Sequence, residues 1–130
     1  MVEVFIKTES HYSVNRKRIR DTIERYLFGK GVKGKAEVSV AIVGDRLMKK
    51  LNSKYRSNDK TTVVLAFPLA DEGLRKPFVD VPDGVLRLGD IIISYPQVIE
   101  LASSENCLVD EKIDELLIHG LNHLLGTGEV

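Results

Sequence analysis

Cysteine is nearly absent from this chain: the single one, Cys107, excludes an intrachain disulfide. A lone thiol fits a reducing cytosol, and its apolar neighbours and missing partner point to a packed core thiol rather than a reactive one. Long apolar runs are missing as well, none approaching the roughly 18–20 residues that a membrane-spanning helix needs. Residues 2–7 lack the apolar stretch and small-residue cleavage site of a secretory signal. Internal repeats and low-complexity segments are also lacking. These absences set aside membrane-spanning and disulfide-stapled classes and lead to the expectation of a cytoplasmic protein. With 130 residues and 43% hydrophobic content, the chain has enough apolar material for one domain over residues 1–130.

Net charge is absent too, but the formal zero conceals a split. Residues 1–60 hold fifteen Lys/Arg against seven Asp/Glu, and residues 61–130 hold four against twelve, so the halves are +8 and −8. Such asymmetry marks either a polyanion-binding face opposite an acidic one or merely solvated helix surfaces.

What is present patterns as alternating strands and helices. Residues 2–7 read as a strand, followed by a helix capped by Ser13 and running to about residue 28, with Ile19, Ile23 and Leu27 on one side. A glycine-rich loop over 29–34 leads to a strand at 36–43. Asp45 is expected to cap a helix to about residue 55, and 62–66 is a short β-branched strand. Residues 69–84 read as a long surface loop, and 86–94 as a strand buried on both faces through Ile91, Ile92 and Ile93. Pro96 suits the first turn of a helix to about 103, and Asp110 is expected to cap a last helix to 125. The fold class is therefore α/β: a four-stranded mixed sheet with helices packed on it.

Histidine is scarce, with three in all, yet His119 and His123 stand four apart in that last helix. This spacing brings both rings to one face, beside the stripe of Ile113, Leu116, Leu117, Leu121, Leu124 and Leu125, where one metal ion could reach both. Gly126 follows as a helix stop, and Glu129 stands three residues further on. The frame is that of H-x-x-x-H-x-x-G-x-x-H zinc enzymes with glutamate in the third ligand slot. Two imidazoles and a carboxylate suit Zn²⁺ first, with Ni²⁺ or Mn²⁺ as alternatives; an ordinary structural histidine pair is the competing reading. Asp114 and Glu115 serve either as partners that orient the rings or as solvent-facing charges. His11 reads as a solvent residue. Gly120 occupies the position where H-E-x-x-H peptidases carry their general base, which excludes that mechanism.

Three blocks together resemble the YbeY family of bacterial ribosomal-RNA maturation factors. His119-Gly120, His123-Leu124 and Gly126 are similar to its H-G-x-L-H-L-x-G-Y-D-H signature. Leu51-Asn52, Tyr55-Arg56, Asp59, Thr62, Val64-Leu65 and Phe67-Pro68 resemble a second block, and Leu88-Gly89-Asp90-Ile91 a third. Departures are Glu129 for the third histidine, Thr127-Gly128 for Tyr-Asp, Asn122 for leucine, Val63 for aspartate and Ala66 for serine.

The resemblance implies a metal-dependent single-strand endoribonuclease of small-subunit ribosomal RNA maturation and ribosome quality control. Its partners would be a ribosomal RNA precursor and the small ribosomal subunit, with no membrane, and the protein a monomer or weak oligomer. It implies a zinc ion on His119, His123 and Glu129, with Arg56 and His119 as the catalytic residues and Arg56 facing the metal across a cleft. A guanidinium forks onto phosphate oxygens and can stabilise charge there. Lys49, Lys50, Lys54 and Lys60 would extend an RNA-binding rim around Arg56. Asp90 would cap or orient a strand end. The alternative is a non-catalytic RNA- or ribosome-binding factor whose metal site has degraded; a metallohydrolase of small substrates has no feature beyond the metal frame.

Overall fold

Residues 2–9, 11–56, 62–69 and 84–126 are described by the computed structural model, Arg56 by its backbone only. The order is β1 (Val2–Thr8), α1 (Arg16–Gly29), β2 (Lys35–Val43), α2 (Asp45–Arg56), β3 (Val64–Pro68), β4 (Val85–Ser94), α3 (Tyr95–Ser104) and α4 (Val109–Leu124). The strands form one sheet in the order β1-β2-β4-β3. β1, β2 and β4 run parallel, and β3 returns antiparallel along β4 as an edge strand. This is the mixed α/β sheet expected from the sequence.

Strand alternation assigns the two faces. Val38, Val40, Ile42, Ala66, Ile91 and Ile93 enter the main core with Ile19, Ile23, Leu27, Val98, Leu117 and Leu121 of α1, α3 and α4. Val43 and Leu65 point the other way and meet Met48 of α2, with Ile92 and Phe67 packed beside them. α2 therefore covers one face of the sheet while α1, α3 and α4 cover the other. Each fully buried aliphatic side chain contributes about 1.5–3 kcal/mol, so the larger core dominates stability.

Several boundaries differ from the sequence-based expectation. Asn15, not Ser13, caps α1, its side chain accepting from the Arg18 N–H at 3.0 Å. Asp45 is the first residue of α2. Its carboxylate accepts from the Ser94 hydroxyl (2.8 Å) and the Gln97 amide, tying α2 to the start of α3. β3 lies two residues later than expected because its register is set by β4, with Val64 opposite Ile93 and Pro68 opposite Gly89. The loop expected over 69–84 lies, for residues 70–83, outside the described residues.

Gly89 is required where it stands. Its φ of +135° and an added Cβ only 2.2 Å from the Phe67 carbonyl oxygen leave room for no side chain. No helix among the described residues is long and apolar enough to cross a membrane.

Candidate functional site

α4 carries the histidine pair, and its seating begins in its first turn. Asp110 and Glu111 lie within that turn, where the helix dipole favours acids. Asp110 is thus not the cap; Leu108 precedes the helix, and its N–H donates to the Glu111 carboxylate at 2.9 Å. Ile113, Leu116, Leu117, Leu121 and Leu124 are buried along one stripe, as their spacing predicts. His119 is exposed and His123 half-buried at the border of that stripe. Between them Gly120 faces the sheet. A Cβ there would stand 3.0–3.1 Å from three carbons of the fully buried Ile91 side chain. The missing side chain thus lets α4 lie close on β4, and a peptidase-type glutamate at this position would be driven into the core.

Both carboxylates one turn before His119 are engaged by cations. Asp114 receives the Arg18 guanidinium through Nε (3.1 Å) and Nη2 (2.8 Å), and the Thr22 hydroxyl at 3.1 Å, which joins α4 to α1. The pairing raises the Arg18 pKa, first through the hydrogen bond to Asp114 and then through its charge. Glu115 instead receives Lys112 Nζ at 2.9 Å. Lys112 is 1% exposed and also donates to Glu105 at the end of α3. Those two hydrogen bonds, the larger being that to Glu105, raise its pKa against the opposing effect of burial. In the sequence Lys112 is inconspicuous because it sits in an acidic run. Its position four residues before Leu116, on the apolar stripe, is the one signal of its burial.

The donor chemistry suits a zinc ion in part. Two imidazoles one turn apart can share it, but zinc sites take three or four protein ligands. The third expected ligand, Glu129, lies outside the described residues, and among the described residues no cluster of three or more His, Cys, Asp or Glu side chains is placed to hold a metal.

Three of the predicted RNA-binding cations, Lys49, Lys50 and Lys54, occupy the other side of the sheet, together with Arg46, which is not among those predicted. Arg46, Lys49, Lys50 and Lys54 recur at helical spacing on α2 and are exposed, and Asp45 is the only acid in that helix. Arg56 ends α2; its side chain and Lys60 lie outside the described residues. Tyr55, 57% exposed, packs its ring 5.2 Å from that of Phe67, and Lys54 Nζ stands 5.2 Å from the Tyr55 ring centre. Phe67 and its neighbour Ala66 point to opposite faces of edge strand β3, Phe67 toward α2 and Ala66 toward the α4 side, where it pairs with Ile91. The cationic helix and the histidine helix are therefore back to back, with β3 as the margin between them. Asp90 is exposed within β4 rather than at its end, opposite Phe67 and Ser39. His11 is exposed, its ring 4.8 Å from that of Tyr12, and Cys107 is half-buried in the turn between α3 and α4.

A family profile described as Endoribonuclease YbeY matches residues 5–128. A protein of that name from Moorella thermoacetica is 42% identical over 96 residues, covering 74% of this chain and 62% of the relative. One from an Anaeromyxobacter species is 36% identical over 110 residues, 85% of this chain and 52% of the relative. The chain thus spans less than two thirds of both. A Dehalococcoides mccartyi relative, also named Endoribonuclease YbeY, is 33% identical over 130 residues, with 96% and 81% coverage. The solution structure of TM1509 from Thermotoga maritima aligns with a TM-score of 0.64 at 26% identity, covering 95% of this chain and 72% of that one.

Proposed function

Because the chain belongs to the YbeY endoribonuclease family, we propose that this protein cuts single-stranded RNA, and that its substrate is a ribosomal RNA precursor handled with the small ribosomal subunit. The observation that carries the reading is the placing of His119 and His123, one turn apart at the solvent border of a helix that Gly120 seats tightly on Ile91. A catalytic site needs a rigid support that still meets water; Gly120 supplies close seating of the helix, while His123 is half-buried and His119 exposed.

Lys49, Lys50 and Lys54 attract the phosphodiester backbone to the α2 side of β3, and Arg56, the last residue of α2, brings to the proposal a guanidinium of the kind that forks onto phosphate oxygens. His119 and His123, with Glu129 as third donor, would hold a zinc ion. When bound, zinc supplies a Lewis acid and brings the pKa of a coordinated water to around 7. Gly120 leaves this chain without a base at the peptidase position, so hydrolysis of peptides is not part of the proposal.

The test is cleavage of a labelled single-stranded RNA by the parent and by His123→Ala, each assayed after zinc addition and by elemental analysis. Loss of cleavage with retained RNA binding is expected for the variant. Equal cleavage by the two proteins would overturn the catalytic role. The replacement of the family's Tyr-Asp-His by Thr127-Gly128-Glu129 favours one second reading, an RNA-binding factor without catalysis. A parent that binds RNA but neither cuts it nor takes up zinc would establish that reading.

A further inference from the structure

We infer that Tyr55 is a stacking platform for one base of a single-stranded RNA, an inference that rests on the RNA reading above and adds a residue that selects unpaired strands. Most large hydrophobic side chains of the described residues are inside, and Tyr55 is among the few that are not, at 57% exposure. Its ring is held from the sheet side by Phe67, 5.2 Å away at an interplanar angle of 59°. A ring fixed in this way loses little freedom when a base settles on it, which is what a stacking site requires. On the helix, Lys54 Nζ lies over the ring at 5.2 Å, so the π-face is already turned toward a ligand-like group.

The surroundings match the charge of a nucleic acid strand. Arg46, Lys49, Lys50 and Lys54 line the exposed side of the same helix, with Asp45 the sole acid at its far end. An incoming base can take the place of the Lys54 ammonium over the ring, releasing that cation to an adjacent phosphate. The exchange is favourable because an exposed cation–π contact is weaker than a base–aromatic stack. Only unpaired bases present a free face, so the platform discriminates single strands from duplex. Its position fixes a path as well. Tyr55 packs on Phe67 on one side of edge strand β3, while the histidine helix lies on the other. A strand with one base on Tyr55 reaches the side of His119 and His123 only by running on past edge strand β3.

The experiment is a fluorescence titration of the full chain with a short 2′-O-methyl RNA carrying one 2-aminopurine, alongside an abasic oligomer of the same length. Tyr55→Phe should bind and quench like the parent. Tyr55→Leu, which keeps an apolar cover over Phe67 but has no π-face, should lose quenching and about 5- to 150-fold in affinity, the range of one base–aromatic stack. Affinity for the abasic oligomer should be the same in all three proteins. A Tyr55→Leu protein that binds and quenches like the parent would overturn the inference and leave the RNA reading standing. A parent that binds neither oligomer would overturn the RNA reading, and the platform with it.

Discussion

Gly120 of α4 and Ile91 of β4 approach so closely that a single added methyl group at Gly120 would stand 3.0 Å from the isoleucine Cγ2. Ile91 has no solvent exposure, so any give must come from the packed core around it. The contact determines how near the histidine helix lies to the sheet.

Gly120→Ala should therefore destabilise the protein even though alanine is the better helix former. Crowding of a packed core costs about 1–3 kcal/mol, against a propensity gain of up to about 1 kcal/mol, leaving a net loss on the order of 1 kcal/mol. Ile91→Val alone costs about 0.5–1.5 kcal/mol. The double variant should lose less than the two single variants combined, because each relieves the other. Denaturant unfolding of the four proteins measures this, and strict additivity would show that the contact is unstrained.

Lys112 predicts an unusual dependence on alkaline pH. Its folded pKa is raised above the ordinary 10.5 by Glu105 and Glu115, so the charged lysine favours the folded state. That stability is fully present below 10.5 and is lost as pH rises toward the folded value. Lys112→Met should unfold more easily than the parent at neutral pH, with the gap narrowing above pH 10.5. Thermal melts across the alkaline range decide it; a gap of constant size would mean that packing rather than charge is responsible.

Arg18, Thr22 and Asp114 form one link between α1 and α4. Asp114→Ala should lower the melting temperature, and adding Arg18→Ala should lower it little further, since both changes cut the same connection. Raised salt should reduce the parent's advantage, because the pair is partly open to solvent. Additive effects in a double-mutant cycle would show that the two side chains act separately.

RNA binding should weaken with salt in proportion to the number of phosphates neutralised. Replacing Lys49, Lys50 and Lys54 together by alanine should flatten the logarithmic salt slope by roughly 0.7 for each phosphate no longer neutralised. The melting temperature should hardly move, as all three are exposed. An unchanged slope would remove α2 from the RNA interface.

Much of this arrangement is legible in the residues. Period-two and period-3.6 patterns locate β2, α1 and α4 because each has one face that must be buried, as with Val38, Val40 and Ile42 or Leu117 and Leu121. Ends are less legible. Ser13 and Asn15 are both good caps, and the choice shows only in the structure, where the Asn15 side chain accepts from the Arg18 N–H. The start of β3 depends on pairing with β4, which no local pattern in 62–68 encodes. The role of Asp114 is hidden because its partner Arg18 lies 96 residues away and is identified only by how helices pack, whereas Lys112 stands three residues before Glu115 on the same helix. The histidine pair is visible from spacing alone, whereas its separation from the lysine helix by strand β3 requires the fold.

The scarcity of cysteine has a practical sequel. Cys107 is the chain's one thiol, and it is half-buried in the turn that launches the histidine helix, its N–H bound to the Ala102 carbonyl at 2.9 Å. The rate of alkylation of that thiol under native conditions therefore reports on reagent access to the turn between α3 and α4. The protein comes with its own single-site reporter of access at the base of the helix that carries His119 and His123, and no engineered label is needed to read it.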